Sequence, residues 1–209
     1  MNYKTEQENF WAGDFGNAYV DRNSDPNSIA RRTAVFSKII ERTKNINTFL
    51  EFGANIGQNL LALRNLKPSC SFGAIEINKK AIETLKKIPA TKVFEGSIFD
   101  FSQQELGKYD LTFTSGVLIH INPDKLQNIY SSLYHCSNKY ILIKEYYNPK
   151  PVEVNYRGHS ERLFKRDFAG EMLDLYPDLE LIDYGFQYHR DCNFPMDDST
   201  WFLLKKKDK

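Results

Sequence analysis

The chain has 209 residues, of which 41% are hydrophobic and 26% charged, a composition typical of globular proteins rather than disordered or membrane chains. Its formal net charge of +1 gives no electrostatic reason to expect a nucleic-acid partner, and no run approaches the roughly 18 apolar residues of a membrane span. Three widely spaced cysteines exclude a disulfide framework and favour a reducing compartment. We therefore expect a cytoplasmic protein with no membrane partner and a single domain over residues 1–209.

The predicted elements alternate between strand and helix. Residues 1–45 form an N-terminal lid segment with an amphipathic helix near its end, and residues 46–209 form the core. Predicted strands lie at 46–52, 71–77, 91–95, 109–115 and 139–147, with helices at 59–66, 79–88 and 123–136. This alternation predicts an open, mostly parallel α/β sheet. The last two strands, at 179–189 and 199–205, have only a loop between them and predict an antiparallel hairpin.

The first predicted strand ends in the turn Glu51-Phe52-Gly53-Ala54-Asn55-Ile56-Gly57, at the position where open α/β sheets bind ligands. Gly53 suits a tight turn with positive φ, and Gly57 permits close approach of the following helix. The dinucleotide fingerprint needs a further glycine where the backbone touches a pyrophosphate, and Asn55 occupies that place. The turn therefore favours S-adenosylmethionine, a cofactor without phosphates, over NAD.

Polar residues also follow the next two predicted strands. Glu76 ends the second strand, about twenty residues after the turn, where a carboxylate suits hydrogen bonds to ribose hydroxyls. After the third strand, Ser97 and the backbone N–H of Ile98 could bind the edge of an adenine, with Ile77 and Ile98 enclosing the ring. Three such features at consecutive strand ends predict one nucleoside site.

These residues carry a family resemblance. The motifs Glu51-x-Gly53-x-x-x-Gly57, Glu76, Gly96-Ser97 and YDLTFTSGVLIHI at 109–121 resemble the successive motifs of class I methyltransferases. The resemblance implies a Rossmann-like fold: a seven-stranded, mostly parallel sheet with an antiparallel C-terminal strand and helices on both faces. It also implies S-adenosylmethionine as cofactor, with Glu51 and the Gly53 backbone near its methionine moiety and Ser115 near its methyl group.

The segment NFWAGDFGNAYVDRN at 9–23 is similar to the opening of methylases associated with pseudaminic acid and related surface-polysaccharide gene sets. That similarity implies a small polar acceptor such as a sugar, an amino sugar or a nonulosonate. Tyr19 and Arg22 could reach over the cofactor, where Arg22 would pair with its carboxylate. The alternative is a lid helix simply packed by its aromatic residues, Phe10, Trp11 and Phe15.

Methyl transfer requires alignment of the acceptor and, for many acceptors, removal of a proton. Histidine is the natural base near neutral pH, and the candidates are His120, after the fourth strand, and His159, in a polar loop after the fifth. His120 is equally consistent with a cap on the next helix, and His135 and His189 are expected to be surface or structural residues. Glu145, at the end of the fifth strand, is the third candidate catalytic residue because a carboxylate there could bind hydroxyls or an amine.

Three further side chains are candidates for acceptor binding, namely Tyr147, Tyr156 and Arg157. Aromatic rings suit sugar faces, and an arginine could pair with a carboxylate or phosphate on the acceptor. The four histidines have no metal-ligand spacing, so we expect no metal. The alternatives are an NAD-linked oxidoreductase, a non-catalytic cofactor-binding module and a methyltransferase with a protein acceptor. The sequence leaves the oligomeric state open.

Overall fold

The computed structural model describes residues 3–23, 25 and 27–207, which divide into two compact units at residues 1–107 and 108–209. Seven strands belong to one mostly parallel sheet. Within the described residues, none of the helices is long and apolar enough to cross a membrane. The two units are described separately below.

The first unit begins with three helices and continues as alternating strands and helices. Its elements are α1 (Glu6–Ala12), α2 (Asp14–Arg22), α3 (Ser28–Ile40), β1 (Thr48–Phe52), α4 (Gln58–Leu66), β2 (Ser71–Glu76), α5 (Lys79–Leu85), β3 (Thr91–Glu95) and α6 (Gln103–Leu106), with a 3₁₀ turn at Ile98–Asp100. The strands lie in the order β3-β2-β1 and all pair in parallel. Because parallel strands are covered on both faces, β1 and β2 are almost continuously buried.

The second unit contains the remaining four strands of the sheet, in the order β4-β5-β9-β8. Its elements are β4 (Tyr109–Ser115), 3₁₀ turns at Leu118–His120 and Pro123–Lys125, α7 (Leu126–Cys136), β5 (Ser137–Glu145), β6 (Val152–Glu153), β7 (Phe164–Lys165), α8 (Phe168–Leu175), β8 (Leu179–Gln187) and β9 (Ser199–Lys206). Strand β9 runs antiparallel to both β5 and β8, so β5 and β8 point the same way. Their carboxyl ends therefore lie at the same edge of the sheet.

The predicted alternation and the C-terminal hairpin are confirmed, with small shifts at the element ends. The predicted helix at 123–136 is wrong in its first turn, because Asn122 and Pro123 start a 3₁₀ turn before α7 begins at Leu126. The short elements α6, β6, β7 and α8 carry no periodic pattern long enough to predict them. In the N-terminal segment, Gly13 separates two helices, since its extended backbone ends α1 and begins α2.

Candidate functional site

The turn after β1 is closed by hydrogen bonds within the first unit. Gly53, Asn55 and Gly57 all adopt positive φ, at 75°, 49° and 78°. The N–H groups of Gly53 and Ala54 both donate to the Ile75 carbonyl, at 2.9 and 3.0 Å. A β-carbon on Gly57 would lie 2.3 Å from Ile88 Cδ1, so that methyl group would have to shift, and the positive φ independently favours glycine. The close neighbours of Gly57 come from α5 and the segment after it, rather than from β1.

Glu76 is the acidic centre of this turn. Its carboxylate is buried and accepts three backbone N–H bonds, from Asn55 at 2.6 Å, Ile77 at 2.9 Å and Asn78 at 2.7 Å. Burial raises the pKa of Glu76, and these three donors oppose that rise. A carboxylate offers about four lone-pair positions, so one position, on the oxygen that accepts from Asn55, remains for a further donor.

Ser97 follows β3 and is buried at the start of the 3₁₀ turn. Its hydroxyl accepts from the Phe99 N–H at 3.2 Å, and its own N–H donates to Asp100 at 2.9 Å. This capping box fixes the turn and leaves the Ser97 hydroxyl proton able to donate to a ligand. Ile77 and Ile98, the two residues predicted to enclose a ring, are both half-buried. The Gly96 N–H donates to the Glu76 carbonyl at 2.9 Å, which ties this turn to the end of β2.

A buried polar network holds Glu51, and sequence reasoning missed most of it. Asn59, in the first turn of α4, donates to Glu51 Oε1 at 2.5 Å, and Arg32 donates to Asn59 Oδ1 at 2.8 Å. The Arg32 Nε also donates to Ser28 and Gln58, at 3.1 and 3.3 Å. Helix α3 thereby fixes the start of α4 and the end of β1. No spacing rule links Arg32 to Glu51, so only the fold reveals the network.

Tyr19 and Arg22 lie in an aromatic cluster formed by α1 and α2. The Tyr19 ring meets Trp11 edge-on at 5.2 Å, and the Arg22 guanidinium lies 5.3 Å from the Phe15 ring centre and 5.8 Å from that of Tyr19. Both helices are anchored beside Glu76, because the Asn78 amide donates to the Trp11 carbonyl at 3.1 Å and to Asn17 at 3.0 Å.

In the second unit, Glu145 is buried and shapes the turn after β4. Its carboxylate accepts from the N–H groups of Val117 at 3.1 Å and Ile119 at 3.4 Å. Burial raises the pKa of Glu145 to about 6, opposed by backbone donors in this turn. Ser115, the last residue of β4, is half-buried, and its backbone pairs with Lys144 in β5. Glu145 is therefore placed to hold the Leu118–His120 turn in shape.

His120 ends that turn and is buried. Its Nδ1 lies 2.6 Å from the Arg162 carbonyl oxygen, and its ring lies 5.0 Å from that of Tyr156. A carbonyl can only accept, so Nδ1 carries the proton and the neutral ring presents Nε2 as an acceptor. Burial lowers the pKa of His120 to about 4, so the ring is neutral at physiological pH.

Tyr156, Arg157 and His159 form the tip of the hairpin that includes β6 and β7. Tyr156 and His159 exchange two backbone hydrogen bonds, at 2.9 and 3.0 Å, around Arg157 and Gly158. Arg157 and Gly158 both have positive φ, at 52° and 86°, which makes this a type I′ turn. Arg157 and His159 are exposed, whereas Tyr156 is half-buried against His120. Tyr147, the remaining acceptor candidate, is exposed after β5 and contacts Phe202 of β9 at 5.7 Å.

The loop between β8 and β9 contains a histidine–carboxylate pair that the sequence did not single out. His189 Nδ1 lies 2.9 Å from both oxygens of Asp198, and the His189 N–H donates to Asp198 at 2.9 Å. The histidine lowers the pKa of Asp198 by hydrogen bonding, and Lys165 adds a smaller attraction. Because the ionised carboxylate can only accept, Nδ1 carries a proton in this pair. The residues at 189 and 198 come together only through the hairpin.

The structure thus brings together Gly53, Asn55, Glu76 and Ile77 in the first unit, and His120, Glu145 and Tyr156 in the second. Tyr19 and Arg22 are held within their own helices, and His159 and Arg157 lie at the hairpin tip. Across residues 3–23, 25 and 27–207, no group of three or more His, Cys, Asp and Glu residues is arranged to hold a metal ion.

No family model and no curated protein sequence matches the chain. Among solved structures, a SAM-dependent methyltransferase of Leishmania major aligns with 96% of this chain and 82% of its own, at a TM-score of 0.70 and 15% identity. The 1,6-didemethyltoxoflavin N1-methyltransferase of Burkholderia thailandensis has S-adenosylhomocysteine and 1,6-didemethyltoxoflavin bound. Its alignment covers 100% of this chain and 92% of that chain, at a TM-score of 0.69 and 14% identity. The N-terminal domain of EvdMO1, in the presence of S-adenosylhomocysteine and D-fucose, aligns with 89% of this chain and 85% of that chain, at a TM-score of 0.61 and 15% identity.

These likenesses confirm the predicted fold. The chain has the Rossmann-like methyltransferase architecture, with a seven-stranded, mostly parallel sheet, one antiparallel strand and helices around it. At identities of 14–15% these likenesses show the fold alone, so the functional argument below depends on the residues.

Proposed function

We propose that the protein is a methyltransferase that uses S-adenosylmethionine, with the cofactor bound by the first unit. The observation that carries this proposal is Glu76, a buried carboxylate fixed by three backbone donors beside the glycine turn. Its remaining acceptor position suits a ribose hydroxyl. Many solved structures with this fold contain S-adenosylhomocysteine, which supports the same cofactor.

The hydrogen bonds of the turn argue against a dinucleotide. A pyrophosphate site needs backbone N–H groups aimed at the ligand. Here the N–H groups of Gly53 and Ala54 donate to the Ile75 carbonyl, and the Asn55 N–H donates to the Glu76 carboxylate. The Gly57 N–H donates to the Ala54 carbonyl at 2.9 Å. A cofactor without phosphates loses nothing by this arrangement. We retain the sequence-based assignments of Ser97 and Ile98 to adenine, and of Glu51, Tyr19, Arg22 and Ser115 to the remainder of the cofactor.

For the acceptor we propose a small polar molecule, methylated on oxygen or nitrogen and related to sugars or nonulosonates. Support comes from the exposed hairpin tip, where Arg157 and His159 offer hydrogen bonds, and from the Tyr147 ring, which suits a sugar face. Solved proteins of this fold include one with 1,6-didemethyltoxoflavin bound and one studied in the presence of D-fucose, so the fold alone does not select the acceptor. We also propose that residues 1–209 act as one catalytic domain.

When bound, S-adenosylmethionine supplies the methyl group that the acceptor takes, with the bond to sulfur breaking as the new bond forms. For removal of the acceptor proton we propose His189, because Asp198 holds its Nδ1–H and thereby leaves Nε2 as the nitrogen that would take up the proton. His189 follows β8, whose carboxyl end lies at the same edge of the sheet as that of β5. Glu145 and His120 then serve to position the acceptor, because His120 is too weak a base once burial has lowered its pKa to about 4.

Calorimetric titration with S-adenosylhomocysteine tests the cofactor directly, and we expect a dissociation constant between about 1 µM and 1 mM, with no heat from NAD. A folded protein that binds NAD, or that fails to bind S-adenosylhomocysteine, would refute the proposal. Mass spectrometry of nucleotide sugars and nonulosonates incubated with enzyme and cofactor then tests the acceptor class by the gain of one methyl group. Cofactor binding without such a gain would leave the methyltransferase proposal standing and remove the sugar-related acceptor.

A further inference from the structure

Asn78 is a buried asparagine that lies two residues after Glu76, between β2 and α5. Its backbone N–H donates to Glu76 Oε1 at 2.7 Å, so it belongs to the turn that holds the proposed ribose acceptor. Its side-chain Oδ1 accepts from the Ala81 N–H at 3.0 Å and caps α5. Neither bond requires the amide nitrogen of an asparagine, because serine and aspartate cap a helix equally well.

The amide nitrogen of Asn78 bonds instead to the N-terminal helices. Its Nδ2 donates to the Trp11 carbonyl of α1 at 3.1 Å and to Asn17 Oδ1 of α2 at 3.0 Å, which uses both of its protons. The partners also fix the orientation of the amide, since the Trp11 carbonyl can only accept and the Ala81 N–H can only donate. One residue therefore joins α1, α2 and α5 to the Glu76 carboxylate.

Gly16 shows how closely α1 and α2 fit around this amide. A β-carbon at Gly16 would lie 1.8 Å from the Trp11 carbonyl oxygen and 2.8 Å from Asn78 Nδ2. The carbonyl oxygen is backbone and is itself an acceptor of Asn78, so a side chain at position 16 would displace it. Gly16 is buried inside α2, where alanine would otherwise favour the helix. Glycine at this position therefore permits the close contact with α1 and Asn78 at a cost to α2 itself.

We propose that Asn78 is a positioning residue that couples the α1–α2 segment to the Glu76 carboxylate, so that the docked helices and the bound cofactor stabilise each other. The amide bonds to Trp11 and Asn17 fix residue 78, and its fixed backbone N–H in turn holds Glu76 Oε1. This inference rests on the proposed cofactor. The coupling is reciprocal, because the factor by which docking raises cofactor affinity is also the factor by which the cofactor favours docking.

Asn78→Ser separates the two roles of the side chain. Serine keeps the cap on α5 and the backbone N–H to Glu76, but it is too short to reach Trp11 and Asn17. Hydrogen exchange followed by mass spectrometry should become about 5–30-fold faster in residues 6–22, because two hydrogen bonds of the docked helices are lost. Calorimetry should show the dissociation constant of S-adenosylhomocysteine raised by about 3–30-fold. In the wild type, the same ligand should slow exchange in residues 6–22.

Gly16→Ala tests the same contact from the side of the helices. Alanine has the higher helix propensity, so faster exchange in α2 would come from lost docking rather than from a weaker helix. Combined with Asn78→Ser it should add little to the loss of cofactor affinity, because both changes break one contact. Unchanged exchange in β1, β2 and β3 checks that each variant is folded.

Lys80→Ala is the matched control. The Lys80 ammonium pairs with Asp21 at 2.5 Å and so joins the same two helices, α5 and α2, but both side chains are exposed. Exposed ion pairs contribute little to stability, so cofactor affinity and exchange in residues 6–22 should stay as in the wild type.

Three results with the variants would overturn the coupling. Unchanged exchange in Asn78→Ser would show that its amide does not hold the helices, and faster exchange with unchanged cofactor affinity would show that docking and binding are independent. Equal losses in Lys80→Ala would assign the effect to any contact between α2 and α5. A wild-type protein that does not bind S-adenosylhomocysteine would refute the cofactor and its coupling together, and the wild type alone distinguishes that failure from the other three.

Discussion

The two units hold their candidate functional groups in different ways. In the first unit, Glu76 and Ser97 sit within two residues of a strand end, and the donors to their side chains are backbone N–H groups, which come from the residues that follow and, for Glu76, also from Asn55 in the turn after β1. In the second, His189 depends on Asp198 nine residues away, and His120 on a carbonyl forty-two residues away. The first arrangement is built on backbone N–H groups at neighbouring strand ends, whereas the second is assembled from residues of separate loops and hairpins.

This difference matches what each unit is proposed to bind. A cofactor of fixed chemistry favours groups held in place before binding. Acceptors vary between enzymes of one fold, and variable recognition is usually carried by loops on a rigid scaffold. The exposed tip at Arg157 and the β8–β9 loop fit that role. The comparison predicts that changes in the second unit alter turnover and acceptor affinity, whereas changes in the first alter cofactor affinity.

The largest expected effect tests the second unit through its histidine pair. His189→Asn keeps a donor for Asp198 but removes the titratable nitrogen. With the acceptor found in the methyl-gain screen, kcat should fall by about 10²–10⁴-fold, because general-base catalysis contributes on that order. The dissociation constant of S-adenosylhomocysteine, measured by calorimetry, should stay unchanged. Asp198→Asn should act in the same direction, since an amide donor forces the other tautomer.

His135→Asn is the matched control, since His135 is exposed in α7 and bonds within its own helix to Ser131. Added imidazole should restore part of the activity of His189→Gly, which a purely structural role would not allow. If His189→Asn retains most of the wild-type kcat, the proton is removed elsewhere. The second unit would then no longer be distinguished from the first by a proposed catalytic base at His189.

The next effect concerns His120 and the stability of the second unit. Its pKa is lowered from 6.5 to about 4, so the unfolded chain binds a proton that the folded chain does not between these values. The stabilisation is complete above pH 6.5 and is lost as pH falls towards 4, by about 3 kcal/mol. Urea unfolding across this range should show that difference between wild type and His120→Asn.

Glu145 acts in the opposite direction, because its pKa is raised to about 6 and its contribution is lost as pH rises through that value. Subtracting the stability curve of His120→Asn from that of the wild type cancels the contribution of Glu145 and of every other titratable group that both proteins contain. The free energy of unfolding of His135→Asn should depend on pH in the same way as that of the wild type. Parallel curves for His120→Asn would mean that the ring is not buried as a neutral acceptor, which would remove its proposed positioning role.

Local features were predictable from the sequence because their partners lie nearby. The strand order follows from alternation and crossover rules, and Gly53, Gly57 and Glu76 follow from the turn chemistry. The Arg32–Asn59–Glu51 network was not predictable, since nothing in the spacing of three polar residues indicates that they meet. The hairpin tip was also missed, because Arg157-Gly158 is not one of the usual type I′ pairs and its strands are only two residues long.

His189 shows the same limit at the candidate site. In the sequence it ends a strand, which is most often a structural position, and only the hairpin brings Asp198 to its Nδ1. The polar residue types near a strand end are visible in a sequence, but the partner that fixes a tautomer is not. Glu145 was predicted as a catalytic residue and stays a prediction, and the sequence did not indicate that both of its oxygens accept from the backbone of the turn after β4.

A smaller effect tests the first unit. Glu76→Ala should weaken S-adenosylhomocysteine binding by about 10–100-fold, because the ribose loses its acceptor and the Asn55 N–H loses its partner. Calorimetry measures this, with Glu95→Ala as the matched control. Glu95 pairs with Glu76 in the register of β2 and β3, but its exposed side chain bonds to Lys86. Unchanged binding by Glu76→Ala would remove the ribose assignment, and an equal loss in Glu95→Ala would indicate general loosening of the strand ends.

The smallest effect sharpens the comparison at the hairpin tip. Arg157→Ala should raise the acceptor KM by up to about tenfold and leave kcat unchanged, since an exposed side chain that binds the ground and transition states alike contributes only affinity. Arg157→Lys should recover part of the loss if the acceptor carries an anion, because lysine keeps the charge without the bidentate fork. Lys150→Ala, an exposed cation outside the hairpin, controls for net charge. Steady-state kinetics with unchanged KM in Arg157→Ala would exclude the tip from acceptor binding and confine recognition in the second unit to the residues around His120 and His189.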